Sequence, residues 1–174
     1  GPKIDIQMKN ANGKEDTAFT VQYDLCMPSR FDLSYVGDDG KNHRAFVVHR
    51  SSIGAIERIM AFLIEKYAGA FPLWLSPVQA KVLPVSEKHN TYANDVLAAL
   101  RATNIRAEVD NANESLGKKI RNAKQEKIPY LLVVGDKEVE AKTISVDSRD
   151  AGKLEITSLS DFITKVTEEV KRRA

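Results

Sequence analysis

The stretch Val47-Val48-His49-Arg50-Ser51-Ser52-Ile53-Gly54-Ala55-Ile56-Glu57-Arg58 constrains this chain more than any other. It joins an apolar strand to an amphipathic helix through a corner of small residues. Beyond the corner, Ile56, Ile59, Met60, Leu63, Ile64 and Tyr67 recur at helical spacing, which predicts a helix over 54–67 with one buried face. Gly69 is its expected C-terminal cap. The corner is expected to aim the imidazole of His49 and the guanidinium of Arg58 at one space above a sheet. Taken alone, a single imidazole makes no metal site and reads as a satisfied strand-end residue. An arginine in the first turn of a helix opposes the macrodipole and calls for an anion.

Ahead of this corner the chain reads as an antiparallel meander. Ile4, Ile6 and Met8 alternate with polar residues; 10–16 is a polar loop holding Gly13. In the next strand Phe19, Val21, Tyr23 and Leu25 point one way, and Thr20, Gln22 and Asp24 the other. Residues 31–36 read as extended, and Gly37-Asp38-Asp39-Gly40 as a tight turn. Pro72-Leu73-Trp74-Leu75-Ser76-Pro77 reads as a junction, giving domains 1–74 and 75–174. After it, strands and helices alternate: strands at 79–85, 105–109, 130–134 and 143–146, and helices at 90–103, 116–126 and 158–172. Residues 135–137 read as a turn. Tyr130 to Val134 is continuously apolar, the mark of a strand buried on both faces. The fold class is therefore α/β (α+β): an antiparallel sheet with a trailing helix, then a mixed sheet covered by helices.

The bulk properties exclude little. The chain has 174 residues, a formal charge of +2 and one cysteine, Cys26, so no internal disulfide is possible. That fits a reducing, cytoplasmic setting. No apolar run approaches the length needed to span a bilayer. The opening Gly1-Pro2-Lys3 lacks an initiator Met, so either the chain is part of something longer or Gly1-Pro2 is a cloning remnant. The segment from Leu116 carries Lys118, Lys119, Arg121, Lys124 and Lys127 against Glu114 and Glu126. It reads either as a solvated face or as a phosphate track.

Several passages together resemble one family. His49-Arg50 with Gly54 and Glu57-Arg58 resembles the third signature motif of class II aminoacyl-tRNA synthetases. Gly1-Pro2-Lys3-Ile4-Asp5, Thr20-Val21-Gln22-Tyr23-Asp24 and Pro28-Ser29-Arg30-Phe31 resemble passages of the threonyl branch. So do Phe71-Pro72-Leu73-Trp74-Leu75-Ser76-Pro77, Asn113-Glu114-Ser115-Leu116-Gly117 and Gly135-Asp136-Lys137-Glu138-Val139. The resemblance implies the end of a class II catalytic sheet with its motif 3 helix, followed by an anticodon-binding domain. It implies a ligase that attaches threonine to tRNA(Thr) through a threonyl-adenylate, with ATP and Mg as substrate, L-threonine, and a homodimer.

By the same resemblance His49 is one ligand of a zinc ion whose other ligands lie upstream. Arg58 is the catalytic clamp on ATP; Gln22 and Gly54 line the adenylate pocket. Asn113, Arg121, Glu138 and Arg149 contact the anticodon. The chain departs from the pattern at Thr17, Ala55 and Asp147, where the family has Gln, Ser and Arg. The first two class II motifs are absent, so this chain alone is expected to be inactive and to hold little zinc. A stand-alone RNA-binding module derived from a synthetase, or an α/β interaction domain without an RNA role, are the competing readings.

Overall fold

The computed structural model describes residues 1–152 and 154–173. It divides into two compact units, Gly1–Ala68 and Gly69–Ala174.

In the first unit, β1 (Lys3–Lys9), β2 (Glu15–Asp24) and β5 (Val47–Ser51) form an antiparallel sheet in the order β1-β2-β5. A bulge between Ile6 and Gln7 leaves Ala18 as the extra residue, buried at 4% exposure. The register places Gln22 opposite both Lys3 and His49, so these share a face with Asp24. The other face carries Ile4, Ile6, Phe19, Val21, Tyr23 and Val48, as the alternation predicts. Much of that face is exposed, Ile4 at 67% and Val48 at 58%, while the Phe46 ring stacks on Tyr23 at 5.7 Å between centroids. Two short strands, β3 (Ser34–Val36) and β4 (Asn42–Arg44), pair as a separate hairpin across the Gly37–Gly40 turn. A helical turn, α1 (Met27–Arg30), precedes them with Pro28 at its start, a feature with no sequence periodicity to announce it.

The helix after the corner, α2, spans Ile56–Tyr67 and buries none of its residues. It starts later than the apolar pattern suggested, because Gly54 at φ +71 is still in the turn. It ends on Ala68, which takes the left-handed conformation itself ahead of Gly69. Among the described residues only Ala18 and Pro28 of this unit are buried.

The second unit holds a five-stranded mixed sheet of order β10-β9-β8-β6-β7. Here β6 is Ala80–Pro84, β7 Ala107–Val109, β8 Tyr130–Val134, β9 Thr143–Ser148 and β10 Leu154–Ser158. Strand β6 runs parallel to β7 and β8; β9 runs antiparallel to β8 and β10. One face packs Ala80, Val82, Leu132, Val134, Ile144 and Val146 against α3 (Asn90–Ala102) and α6 (Leu159–Arg172). Val96 and Leu100 from α3, and Phe162 and Val166 from α6, complete this core at 1% exposure or less. Ala93 is fully buried beside them, and Tyr92, Leu159, Ile163 and Val170 pack partly buried around them. Ser158 caps α6, its Oγ accepting from the Asp161 amide at 3.1 Å. The opposite face buries Leu83 and Leu131 under α4 (Leu116–Gln125), through Ala123 and the following Ile128.

Two elements differ from expectation. Residues 135–137 open a short helix, α5 (Asp136–Ala141), rather than a simple turn, and β10 adds an edge strand. The unit boundary also falls ahead of the Pro72–Pro77 segment. Gln79, 1% exposed, donates to the Leu73 carbonyl at 2.9 Å, and Arg106 donates to the carbonyls of Trp74 and Ser76 at 2.9 Å. These contacts fold the junction onto the second unit. No helix among the described residues is long and apolar enough to cross a membrane.

Candidate functional site

Two places hold the sequence-derived candidates, one in each unit. In the first, Gly54 makes the strand-to-helix corner possible. Its φ is left-handed, and a Cβ there would overlap the Ala18 carbonyl oxygen. Its amide donates to Ser51 Oγ at 2.8 Å, which fixes the turn. Arg58, in the first turn of α2, donates from Nη1 to the Thr17 carbonyl at 2.8 Å. It lines a small cavity of about 90 Å³ with Met8, Asn10, Asp16, Ala61, Phe62 and Glu65.

His49 is not part of that cavity. Its Nε2 lies 2.9 Å from Asp24 Oδ2, and the imidazole is 58% exposed. Asp24 Oδ1 in turn accepts from the amides of Cys26 and Met27 at 2.9 and 3.0 Å. The Met27 amide, then the His49 ring, then the Cys26 amide hold the Asp24 carboxyl down at about 2. The expectation that imidazole and guanidinium converge on one space is therefore corrected. Arg58 reaches β2 at Thr17 while His49 pairs beside Gln22, five residues along that strand, or roughly 16 Å. Gln22 is exposed on the polar face with His49.

The fit to zinc is also decided by donors. Among the described residues no group of three or more His, Cys, Asp or Glu side chains could hold a metal ion. His49 with Asp24 supplies at most one ligand and its orienting carboxylate. The residues present do not make a zinc site.

In the second unit the candidates follow from strand parity. Ser145 and Asp147 point to the face of β9 that α4 and α5 flank, and Ile156 of β10, opposite Ser145, points the same way at 68% exposure. Ile156 marks where that face stays open. Glu138, in the first turn of α5, caps its own helix: Oε2 accepts from the Gly135 amide at 2.9 Å, and Oε1 from Ser145 Oγ at 2.8 Å. Partial burial raises the Glu138 carboxyl, but hydrogen bonds from Ser145 and the backbone outweigh it, and the net shift is downward. A latch fixes α5: His89 Nε2 and Lys88 Nζ meet Asp136 at 3.1 and 2.7 Å. His89 is buried, at 3% exposure. His43 is exposed, 2.9 Å from Asp39.

Asn113 lies in the loop after β7 and lines a 450 Å³ crevice with Ser86, Lys88, Asn90 and Glu114. The crevice sits at the carboxyl ends of the parallel strands, where open α/β sheets accept ligands. Arg121 is exposed on α4 and, among the described residues, its side chain makes no hydrogen bond or ion pair. The cationic track along α4 needs two corrections. Lys119 is buried at 4% exposure, with Nζ donating to the carbonyls of Pro84 and Asp110 at 3.2 and 3.0 Å. Lys118 and Lys124 are paired, with Glu114 at 2.6 Å and Asp147 at 2.8 Å.

Arg149 does not join Asn113 and Glu138. Because β9 is antiparallel to β8, Ser148 pairs with Tyr130, at the end of the sheet opposite the crevice. There Arg149 donates to the Lys127 carbonyl and to Asp150. The side chains sequence reasoning missed are Ser145, which holds Glu138, and Lys124 as the partner of Asp147. Strand parity at 143–148 carries that signal.

Residues 79–169 match the family model described as anticodon binding domain. The chain belongs to the anticodon binding domain family. It is similar to a threonine–tRNA ligase of Clostridium perfringens, 50% identical over 99% of this chain and 27% of that protein. Against a threonine–tRNA ligase of Acetivibrio thermocellus it is 48% identical over the same shares. The chain thus spans about a quarter of the length of these relatives. The solved RNA binding domain of threonyl-tRNA synthetase from Cryptosporidium parvum Iowa II superposes with a TM-score of 0.85 at 34% identity, over 97% of this chain and 43% of that one. Prolyl-tRNA synthetase of the same genus and species shares the fold at 15% identity and a TM-score of 0.68, over 92% of this chain and 34% of that one. The mixed α/β architecture is that of a synthetase anticodon-binding domain preceded by antiparallel strands.

Proposed function

We propose that this chain is the C-terminal part of a threonyl-tRNA synthetase, and that its second unit holds the anticodon loop of tRNA(Thr). The observation that carries the reading is the uncovered face between α4 and α5. Glu138 and Asp147 line it, with Ser145 buried beneath Glu138, Arg121 one turn before the Lys124 that meets Asp147, and Asn113 at the carboxyl-end crevice. Arg121, exposed and unpaired among the described residues, meets the phosphate backbone through planar charge-assisted contacts. Asn113 and Glu138 meet base edges, since single-stranded loop bases are read by amides and carboxylates. Arg149 holds the Lys127 carbonyl and contributes at the far end of the face only.

In the whole ligase, ATP with magnesium and L-threonine would meet at the first unit. Arg58 would exchange its Thr17 contact for triphosphate oxygens and stabilise the charge that develops on them. Gly54 would let the nucleotide approach the corner, and Gln22 would face the adenylate. Zinc would need its ligands from elsewhere in the protein, and no step is assigned to it. The homodimer and the cytoplasmic setting belong to the same proposal.

The test is filter binding of the chain to threonine tRNA at two salt concentrations, competed by a tRNA differing only in its anticodon. Binding that weakens with salt and with the anticodon change supports the proposal. Salt-insensitive or absent binding favours an interaction domain without an RNA role.

A further inference from the structure

Asp147 stands on the open face where a negative charge is unexpected for a surface that meets RNA. Its surroundings differ from those of the other carboxylate on this face. Both oxygens of Glu138 are engaged by fixed donors, Gly135 N–H and Ser145 O–H. Asp147 Oδ2 meets only Lys124 Nζ at 2.8 Å, and that lysine side chain is 59% exposed. Oδ1 accepts nothing among the described residues. The carboxylate is 19% exposed, so it is held by the sheet yet reachable.

A strand-mounted carboxylate is a rigid acceptor, because β9 is paired on both sides at this point, opposite Leu131 in β8 and Leu154 in β10. Beside it the lysine is a mobile donor. An acceptor and a donor side by side complement a base edge of opposite pattern. Guanine alone among the four bases sets two donors, N1–H and N2–H2, next to each other, with the O6 acceptor beyond them. A carboxylate can take both donors at once, in two charge-assisted hydrogen bonds. Lys124 then turns from Asp147 to O6, so the incoming base replaces the ion pair without stranding either charge.

We propose that Asp147, with Lys124 as its donor partner, is a base-selecting residue of this face that takes the Watson–Crick edge of an unpaired guanine. The proposal rests on the reading of the second unit as an anticodon-loop binder. Uracil offers one donor flanked by two acceptors, which the carboxylate repels. Adenine and cytosine offer one amino group each.

Fluorescence anisotropy on the full chain tests this, with the anticodon stem-loop of threonine tRNA and versions in which each loop guanine is replaced by inosine. Inosine lacks only the N2 amino group. The wild-type chain is expected to lose at least about fivefold in affinity at one loop position. Asp147→Asn, with an unchanged melting temperature, is expected to become indifferent to that replacement, and Asp147→Glu to recover part of the preference. Lys124→Gln is expected to keep the preference. The proposal is overturned if the wild type binds the stem-loop but tolerates inosine everywhere, or if Asp147→Asn discriminates as the wild type does. If no stem-loop binds at all, the anticodon reading itself falls, a result distinct from the first two.

Discussion

Two cations two residues apart on α4 carry opposite expectations. Lys119 is buried, and its ammonium ties the β6 end at Pro84 to the β7 exit at Asp110. Arg121 is exposed and unpaired among the described residues. Replacing Lys119 by Met removes two charge-assisted hydrogen bonds, each worth about 1.5–3 kcal/mol, and leaves two carbonyls short of a donor. It also removes a buried ammonium, whose desolvation cost of several kcal/mol offsets part of that loss. The net is a destabilisation of about 2 kcal/mol, or a fall of about 10 °C in melting temperature for a unit of this size. Lys119→Met should leave unchanged the slope of log affinity for tRNA against log salt. Arg121→Gln should do the reverse: stability within about 0.5 kcal/mol of wild type, and a slope shallower by about 0.7. Thermal unfolding by circular dichroism gives the first quantity, and anisotropy over a salt series the second. A Lys119→Met protein that melts normally but binds with a shallower slope would refute the assignment of Lys119 to the interior.

Other outcomes follow from single positions. Gly54→Ala forces a side chain into a left-handed turn and against the Ala18 carbonyl; the first unit should lose its helix–strand corner, read by amide exchange at 51–60. Asp24 should titrate at about 2 by carboxyl NMR. Its folded value is depressed, so its stabilising effect is present above the ordinary 3.8 and is lost as pH falls through about 2, and the His49 ring shifts should change in that acid window. Tyr130→Phe removes the 2.7 Å bond to Glu169, which should cost about 1 kcal/mol in denaturant unfolding. A protein cut to residues 69–174 should melt cooperatively. Residues 1–68, with only Ala18 and Pro28 buried among their described positions, should bind a hydrophobic dye and show no sharp melt.

The second unit was legible wherever burial imposed a period. The spacing of Phe162 and Val166, and the unbroken run from Tyr130 to Val134, admit few other folds. Elements with little burial were not legible. Helix α5 is six residues long and buries none of them, so its start looks like a turn. Strand β10 sits at a sheet edge and runs straight into α6, leaving no turn residue to mark its end. Alternation marks the apolar face of the first unit as a face but says nothing about what lies over it. In the site, Asn113 and Glu138 came from resemblance. The distance of Arg149 from Asn113 and Glu138 is not legible without the antiparallel pairing of β9 with β8. The burial of Lys119 was invisible because a lysine is ordinarily a surface residue.

Amide chemical-shift mapping of the chain with the threonine anticodon stem-loop bears most directly on which face of the second unit meets RNA. Shifts should concentrate at Asn113, Arg121, Glu138, Ser145 and Asp147, with α6 and α3 beyond its first turn silent. Shifts centred on α3 and α6, or spread evenly over both faces of the sheet, would contradict the proposed interface.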